Sequence, residues 1–583
     1  MTLNIRLLSL ALLSVLAVAL GACGGDDGDG APAADEKRKG GTLTELAAGD
    51  VDYLDPGRTY YQFGLQVQYA ISRPLYSFVP GKVEEPVPDL AAEMPEISED
   101  KKTVTVRLRR GVRFGPPVSR EVVAGDVKYA FERFFSANVG GPYPGHFSAL
   151  VGAPSEPTRG VKSIRGIETP DDHTIVFRLK EPVGVTFASA LVMPVTVPVP
   201  ADYARKHDAR NPSTYNRYVV ATGPYMIEND GSGRLTGYQP GRRITLVRNP
   251  EWDPRTDHRP AYVDRIVIRT NATDTEIAAR QVIRGKGMIL DSNPPASVLR
   301  ELVTRIKDQY VTLPAGGYRF FTLNTEVKPL DDINVRKAIS AAFDREAARK
   351  ARGGRYVGEI ATHYLPPGMP GHEEAGGLKG PGVDFLSAEN VRGDMELAAE
   401  YMRKAGYPSG RYTGNEELLV VGANADPGKA QAEVARAQLE KLGFKVRLRL
   451  VPQDALYTRW CLVPARKVAM CAGASWFRDF QDPQSMLEPV FKGSLINRDG
   501  PNNNMSMLND PQVDAAMDLA AAAQGENRAR AWAEVDRLIV ERAAGIPWLW
   551  DTTTLVRSKD VAAEANPYTT LWDLSYTAIR AEE

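Results

Sequence analysis

Leu418-Leu419-Val420-Val421, a loop, the segment Lys429 to Leu442, Gly443, and then Phe444 to Leu450 form the stretch from which the fold is read. Four consecutive apolar residues read as a strand buried on both faces. Ala432, Ala435, Leu439 and Leu442 repeat at helical spacing, which predicts a helix over 429–442 with one apolar face, and Gly443 supplies its C-terminal stop. Phe444, Val446, Leu448 and Leu450 then alternate with Lys445, Arg447 and Arg449, the period-two pattern of a strand with one solvated face. Strand, helix, strand is a βαβ unit. Gly422 to Lys429 resembles a phosphate-binding loop, but its spacing is one residue too long and Ala430 stands where a Ser or Thr would ligate magnesium, so it reads as a plain crossover.

The same signals recur upstream. Val104, Val106 and Leu108 share one strand face, as do Ile175, Phe177 and Leu179, while Ile266-Val267-Ile268 reads as a strand buried on both sides. The expected class is α/β with mixed sheets. The chain has 583 residues, 43% of them hydrophobic and 25% charged, and at roughly 150 residues per domain it holds several units. Lys and Arg number 72 against 73 Asp and Glu, so there is no global positive field and nucleic acid is not expected as a partner. Lys37-Arg38-Lys39, the longest basic run, reads as a solvated spacer.

The N-terminus carries Arg6, an apolar run from Leu7 to Leu20, and Leu20-Gly21-Ala22-Cys23. The run has signal-peptide length and falls short of a membrane span. The four residues ending in Cys23 resemble a lipobox, which implies cleavage before Cys23 and acylation of its thiol. Residues 1–22 are then a lipoprotein signal peptide and 23–41 a flexible tether. The expected location is the outer face of the cytoplasmic membrane, held by lipid. In that setting Cys461 and Cys471 can pair across nine intervening residues. Zinc is not expected there, because no further Cys or His stands at finger spacing.

Catalytic patterns are missing. There is no G-x-S-x-G and no H-E-x-x-H, and His372-Glu373-Glu374 lacks a second histidine four residues on. Gly231-Ser232-Gly233 reads as a hairpin loop. Asp331-Asp332 precede the helix expected over 335–343, where carboxylates favour the N-terminal dipole. No enzyme, metal or cofactor is expected, and a secreted hydrolase is a remote alternative.

Several segments stand in a telling order: Pro88-Asp89-Leu90-Ala91, the run from Leu108 to Phe114, Ala124-Gly125-Asp126-Val127, Thr222-Gly223-Pro224-Tyr225, Arg248-Asn249-Pro250, Val335 to Ser340, Ala405-Gly406-Tyr407, and Trp476-Phe477-Arg478-Asp479-Phe480-Gln481-Asp482-Pro483. Together they resemble the bacterial family 5 extracytoplasmic solute-binding proteins of peptide-type ABC importers. Phe114 to Ser119 and Gly285-Lys286-Gly287 depart from the family pattern, which affects local loops. The resemblance implies a two-lobed, hinged clam-shell of the periplasmic binding-protein type. Residues 42–75, 216–315 and 546–583 would form lobe I, 76–215 its inserted subdomain, and 316–545 lobe II, with ligand between the lobes.

The resemblance further implies that Asp479 receives a peptide's α-ammonium group. Trp476 and Phe480 would wall the site, and Arg459 or Arg466 would hold the carboxylate end. The expected partners are a peptide, the permease subunits and, through Cys23, membrane lipid; a monomer is expected. The alternative within the same shell is another solute such as an oligosaccharide, a metal chelate or an opine-like compound.

Overall fold

The structure is a computed structural model and describes residues 37–580 apart from 83–84, 143, 155–156, 453–454 and 500–501. The signal peptide, Cys23 and all of the expected tether before residue 37 lie outside the described residues. The tether's last part differs from expectation: Lys37–Arg38 is a strand paired with Ile579 and Arg580.

The βαβ unit forms as read, with strand Glu417–Ala423, helix Gly428–Lys441 and strand Lys445–Val451 parallel to the first. Leu418 to Val421 are buried, because the strand lies between Lys445–Val451 and Met470–Cys471. Val446, Leu448 and Leu450 are only half-buried, since their strand is at the edge of this sheet. Ile266 and Ile268 are fully buried while Val267 between them is not, so that strand alternates where a run buried on both faces was expected. Asp332 caps helix Ile333–Ala342 by accepting from the Asn334 amide, which sets its charge at the N-terminal end where the sequence placed it.

The N-terminal strand Thr42–Leu46 runs parallel to both Arg265–Arg269 and Met288–Leu290 in a six-stranded sheet. Its core joins Leu43, Ile266, Leu555 and Trp572, so early, middle and late parts of the chain share one interior. A second core surrounds the four-stranded antiparallel sheet of Glu96–Ile97, Thr103–Arg107, Thr174–Arg178 and Ile167–Asp171, covered by helix Ala124–Phe134. The third and largest holds the βαβ unit together with Phe320, Trp532 and Trp548.

Two long antiparallel strands, Tyr310–Thr322 and Gly545–Val556, run between these cores. At one end Leu313 and Leu555 pack in the first core; at the other Tyr318, Phe320 and Leu549 pack in the third. Their register shifts between Pro314 and Tyr318. Gly316 lies in that shift with φ +63°, a conformation glycine adopts without a side-chain penalty.

Candidate functional site

Trp476 to Pro483 leaves the sheet beside the two long strands. Strand Ala474–Phe477 is the last of its sheet and pairs with Tyr310–Thr322, placing Trp476 opposite Tyr318. Six residues on, Asp482 ends the loop as the N-cap of helix Pro483–Phe491, its carboxylate accepting from the Gln484 amide. Asp482 is also held by Arg528, two of whose nitrogens reach its oxygens at 2.7 Å. Arg528 in turn donates to the Thr186 hydroxyl at 3.0 Å. The Trp476 indole N–H donates to the Ser485 carbonyl at 2.8 Å, which locks the ring.

Asp479 sits between these fixed points and is 6% exposed. The Tyr60 hydroxyl donates to its Oδ1 at 2.6 Å, and His146 Nε2 lies 3.0 Å from Oδ2. The Tyr568 hydroxyl donates to its main-chain carbonyl at 2.5 Å. The loop carrying Tyr60 is built around Asp52, whose carboxylate accepts from the Thr59 hydroxyl and from the amides of Tyr60 and Tyr61. His146 belongs to the short turn Pro144–Phe147, and its ring meets the edge of Phe480 with centroids 5.2 Å apart. A buried carboxylate needs such partners. An ionised carboxylate offers roughly four acceptor directions, so two donors leave it able to accept from an ammonium as well.

Beside Asp479 lies a cavity of about 490 Å³. One wall comes from residues 56–65 with Met193 to Val195; the opposite wall comes from Tyr457, Thr458, Leu462 and Ser475 to Asp479; Tyr568 adds a third side. Trp476 and Asp479 are thus together on the cavity. Phe480 is not among its lining residues: it is buried in the core around the four-stranded antiparallel sheet, where it backs His146.

Arg459 and Arg466 do not reach the cavity. Both are exposed on the outer side of the Leu456–Cys461 turn, where Arg466 donates to the Arg459 carbonyl at 3.2 Å and stacks on Trp460. The turn directs Tyr457 and Thr458 inward instead. Its end is clipped by the Cys461–Cys471 disulfide to the strand Met470–Cys471, which ties this cavity wall to the sheet. The cation that does line the cavity is Arg478, whose Nη2 donates to the Pro567 carbonyl and whose amide donates to the Gly316 carbonyl at 3.1 Å. Tyr60, His146 and Tyr568 carried no signal in the sequence.

One group of metal-ligand type occurs among the described residues: Asp89, Asp257 and His258. Its carboxylates are engaged by Arg73 and Arg259, which pair with both aspartates inside the protein. Burial pushes the Asp89 carboxyl up, but the two guanidiniums outweigh it and hold the group far below the usual carboxylate range. Two resident cations disfavour a metal ion there. The network instead explains the Pro88–Ala91 landmark, since Asp89 is its centre.

The two-lobed α/β fold thus carries a buried acid on an aromatic-walled cavity. Residues 85–497 match the model of the bacterial extracellular solute-binding proteins, family 5, and the chain belongs to that family. Among its relatives are heme-binding protein A of Haemophilus influenzae, 26% identical over 78% of this chain and 77% of that protein, and di/tripeptide-binding protein 3 of Pseudomonas aeruginosa, 25% identical over 81% and 82%. Among solved structures, the clavulanic acid biosynthesis oligopeptide binding protein 2 superimposes with a TM-score of 0.81 and 26% identity, covering 93% of this chain and 96% of that one.

Proposed function

We propose that this protein is the peptide-binding component of an ABC importer, capturing small peptides outside the cytoplasm and handing them to a membrane permease without altering them. The observation that carries this reading is Asp479: an acid buried in the cavity between the lobes, met by donors from the other lobe. Such an acid suits the α-ammonium of a peptide, and a hydrogen bond to a charged group contributes on the order of 1.5–3 kcal/mol. Trp476 gives a rigid apolar wall, and the outer edge of strand Ala474–Phe477, which lines the cavity, offers main-chain groups to an extended ligand backbone.

Closure follows from the same contacts. Tyr60, His146 and Tyr568 reach Asp479 from one side, and Thr186 reaches Arg528 at a second point. The two long strands serve as hinge at 314–318 and 550–552, where lobe I gives way to lobe II. Closing removes water and strengthens each charged bond inside. Named relatives bind di- and tripeptides or oligopeptides, which supports the ligand class. Acylation of Cys23 would hold the monomer at the membrane, and no helix among the described residues is long and apolar enough to cross it.

Native mass spectrometry of the protein purified without denaturation tests the proposal. A retained peptide is the expected result. A retained sugar, haem or other chelate in its place, or conversion of an added peptide to products, would overturn it.

A further inference from the structure

We infer that the ligands of this cavity are short peptides with large apolar or aromatic side chains, and that acidic side chains are rejected. The inference rests on the peptide reading above. Of the 22 described residues that line the cavity, fifteen are aromatic, aliphatic, proline or methionine, and two, Arg478 and Asp479, are charged. The volume, about 490 Å³, falls in the range of roughly 300–1,000 Å³ typical of single-ligand sites. Rings stand on every side of it: Tyr60 and Tyr61 on one lobe, Tyr457 and Trp476 on the other, and Tyr568 from the C-terminal segment.

The two charges have other work. Asp479 is the seat for the ammonium end, and Arg478, the single cation among the described lining residues, donates from Nη2 to the Pro567 carbonyl. A second cavity of about 350 Å³, which shares Asn503 with the first and is bordered by His146, carries Glu181, Glu488 and Lys492. There Lys492 is already paired with Glu488 at 2.6 Å and with Asp518 at 2.8 Å. A side-chain carboxylate, added to the peptide's own terminal one, finds no second cation among the described lining residues, would lose its water among the rings and would face Asp479 as a like charge. An apolar or aromatic side chain loses water favourably there and gains ring contacts.

Titration calorimetry with phenylalanyl-leucine, alanyl-alanine and aspartyl-glutamate tests this. The expected order is phenylalanyl-leucine tightest, alanyl-alanine weaker by about tenfold or more, and aspartyl-glutamate weaker than the first by on the order of a hundredfold. Tyr61 is 62% exposed at the cavity edge, so Tyr61→Ala leaves the fold intact. That variant is expected to weaken phenylalanyl-leucine severalfold and alanyl-alanine much less, which narrows the gap between the two. Equal affinities across the three dipeptides, or a preference for the acidic one, would overturn the inference while leaving the peptide reading standing. Failure of all three to bind would overturn both.

Discussion

Asp479 and Glu45 are both buried acids, and their surroundings give them different tasks. Asp479 has donors on both oxygens. Glu45, in the middle of strand Thr42–Leu46, has one, the Gln66 amide at 2.9 Å. Burial, reinforced by the nearby Asp291 carboxylate and only partly offset by Gln66, pushes Glu45 up to about 8 from 4.5. The folded protein therefore holds this proton more tightly than the unfolded chain. Its stabilising effect is complete below pH 4.5 and is lost as pH rises through about 8. Glu45→Gln, which never ionises, is expected to raise the melting temperature at about pH 9 and to flatten the decline from about pH 5, as followed by circular dichroism. Arg528→Met removes the partner of buried Asp482 and should destabilise the protein by about 3–5 kcal/mol in urea denaturation. Asp479 and Trp476 could be found from their own short segment. The donors to Asp479 could not, because Tyr60 lies 419 residues away, His146 333 and Tyr568 89.

At the scale of elements, the hinge and the disulfide-bonded turn make separate predictions. At Gly316 a side chain would meet both the positive φ and the Arg478 guanidinium, with its Cβ in clash with Nη1. Gly316→Ala is expected to cost about 1–2 kcal/mol in left-handed backbone strain alone, seen as a lower denaturant midpoint, and to weaken ligand binding by displacing Arg478 beside the site. Opening the ten-residue separation between Cys461 and Cys471 by a double change to serine should cost about 2.8 kcal/mol by the chain-entropy model, again read by denaturation. The βαβ unit was legible because periodicity states directly which face is buried. Arg459 and Arg466 were misplaced for the opposite reason: charge marks a residue as able to bind an anion, but the course of a short turn decides which side chains face inward, and this one presents Tyr457 and Thr458. The long hinge strands were also hidden, since each passes from one core to another and neither core's pattern spans the whole strand.

On the scale of the whole molecule, the proposed binding site draws its walls from segments far apart in the chain. Neither the Trp476–Asp479 segment nor the Tyr60 loop encloses the cavity by itself. Ligand affinity and closure are thus one equilibrium, in which each bond from a ligand to both lobes favours the closed form. The family landmarks made the clam-shell legible as a whole, whereas the cavity's ring-lined character arises from residues scattered between Pro56 and Tyr568 and emerges only on folding. The central claim is that Asp479 binds the amino end of a peptide. Calorimetry of the wild type and of Asp479→Asn, each against phenylalanyl-leucine and its N-acetyl derivative, tests it most directly. The expected result is that acetylation weakens wild-type binding by roughly tenfold to a hundredfold, and that most of this difference disappears in Asp479→Asn. Full discrimination by the variant, or equal binding of both peptides by the wild type, would contradict it.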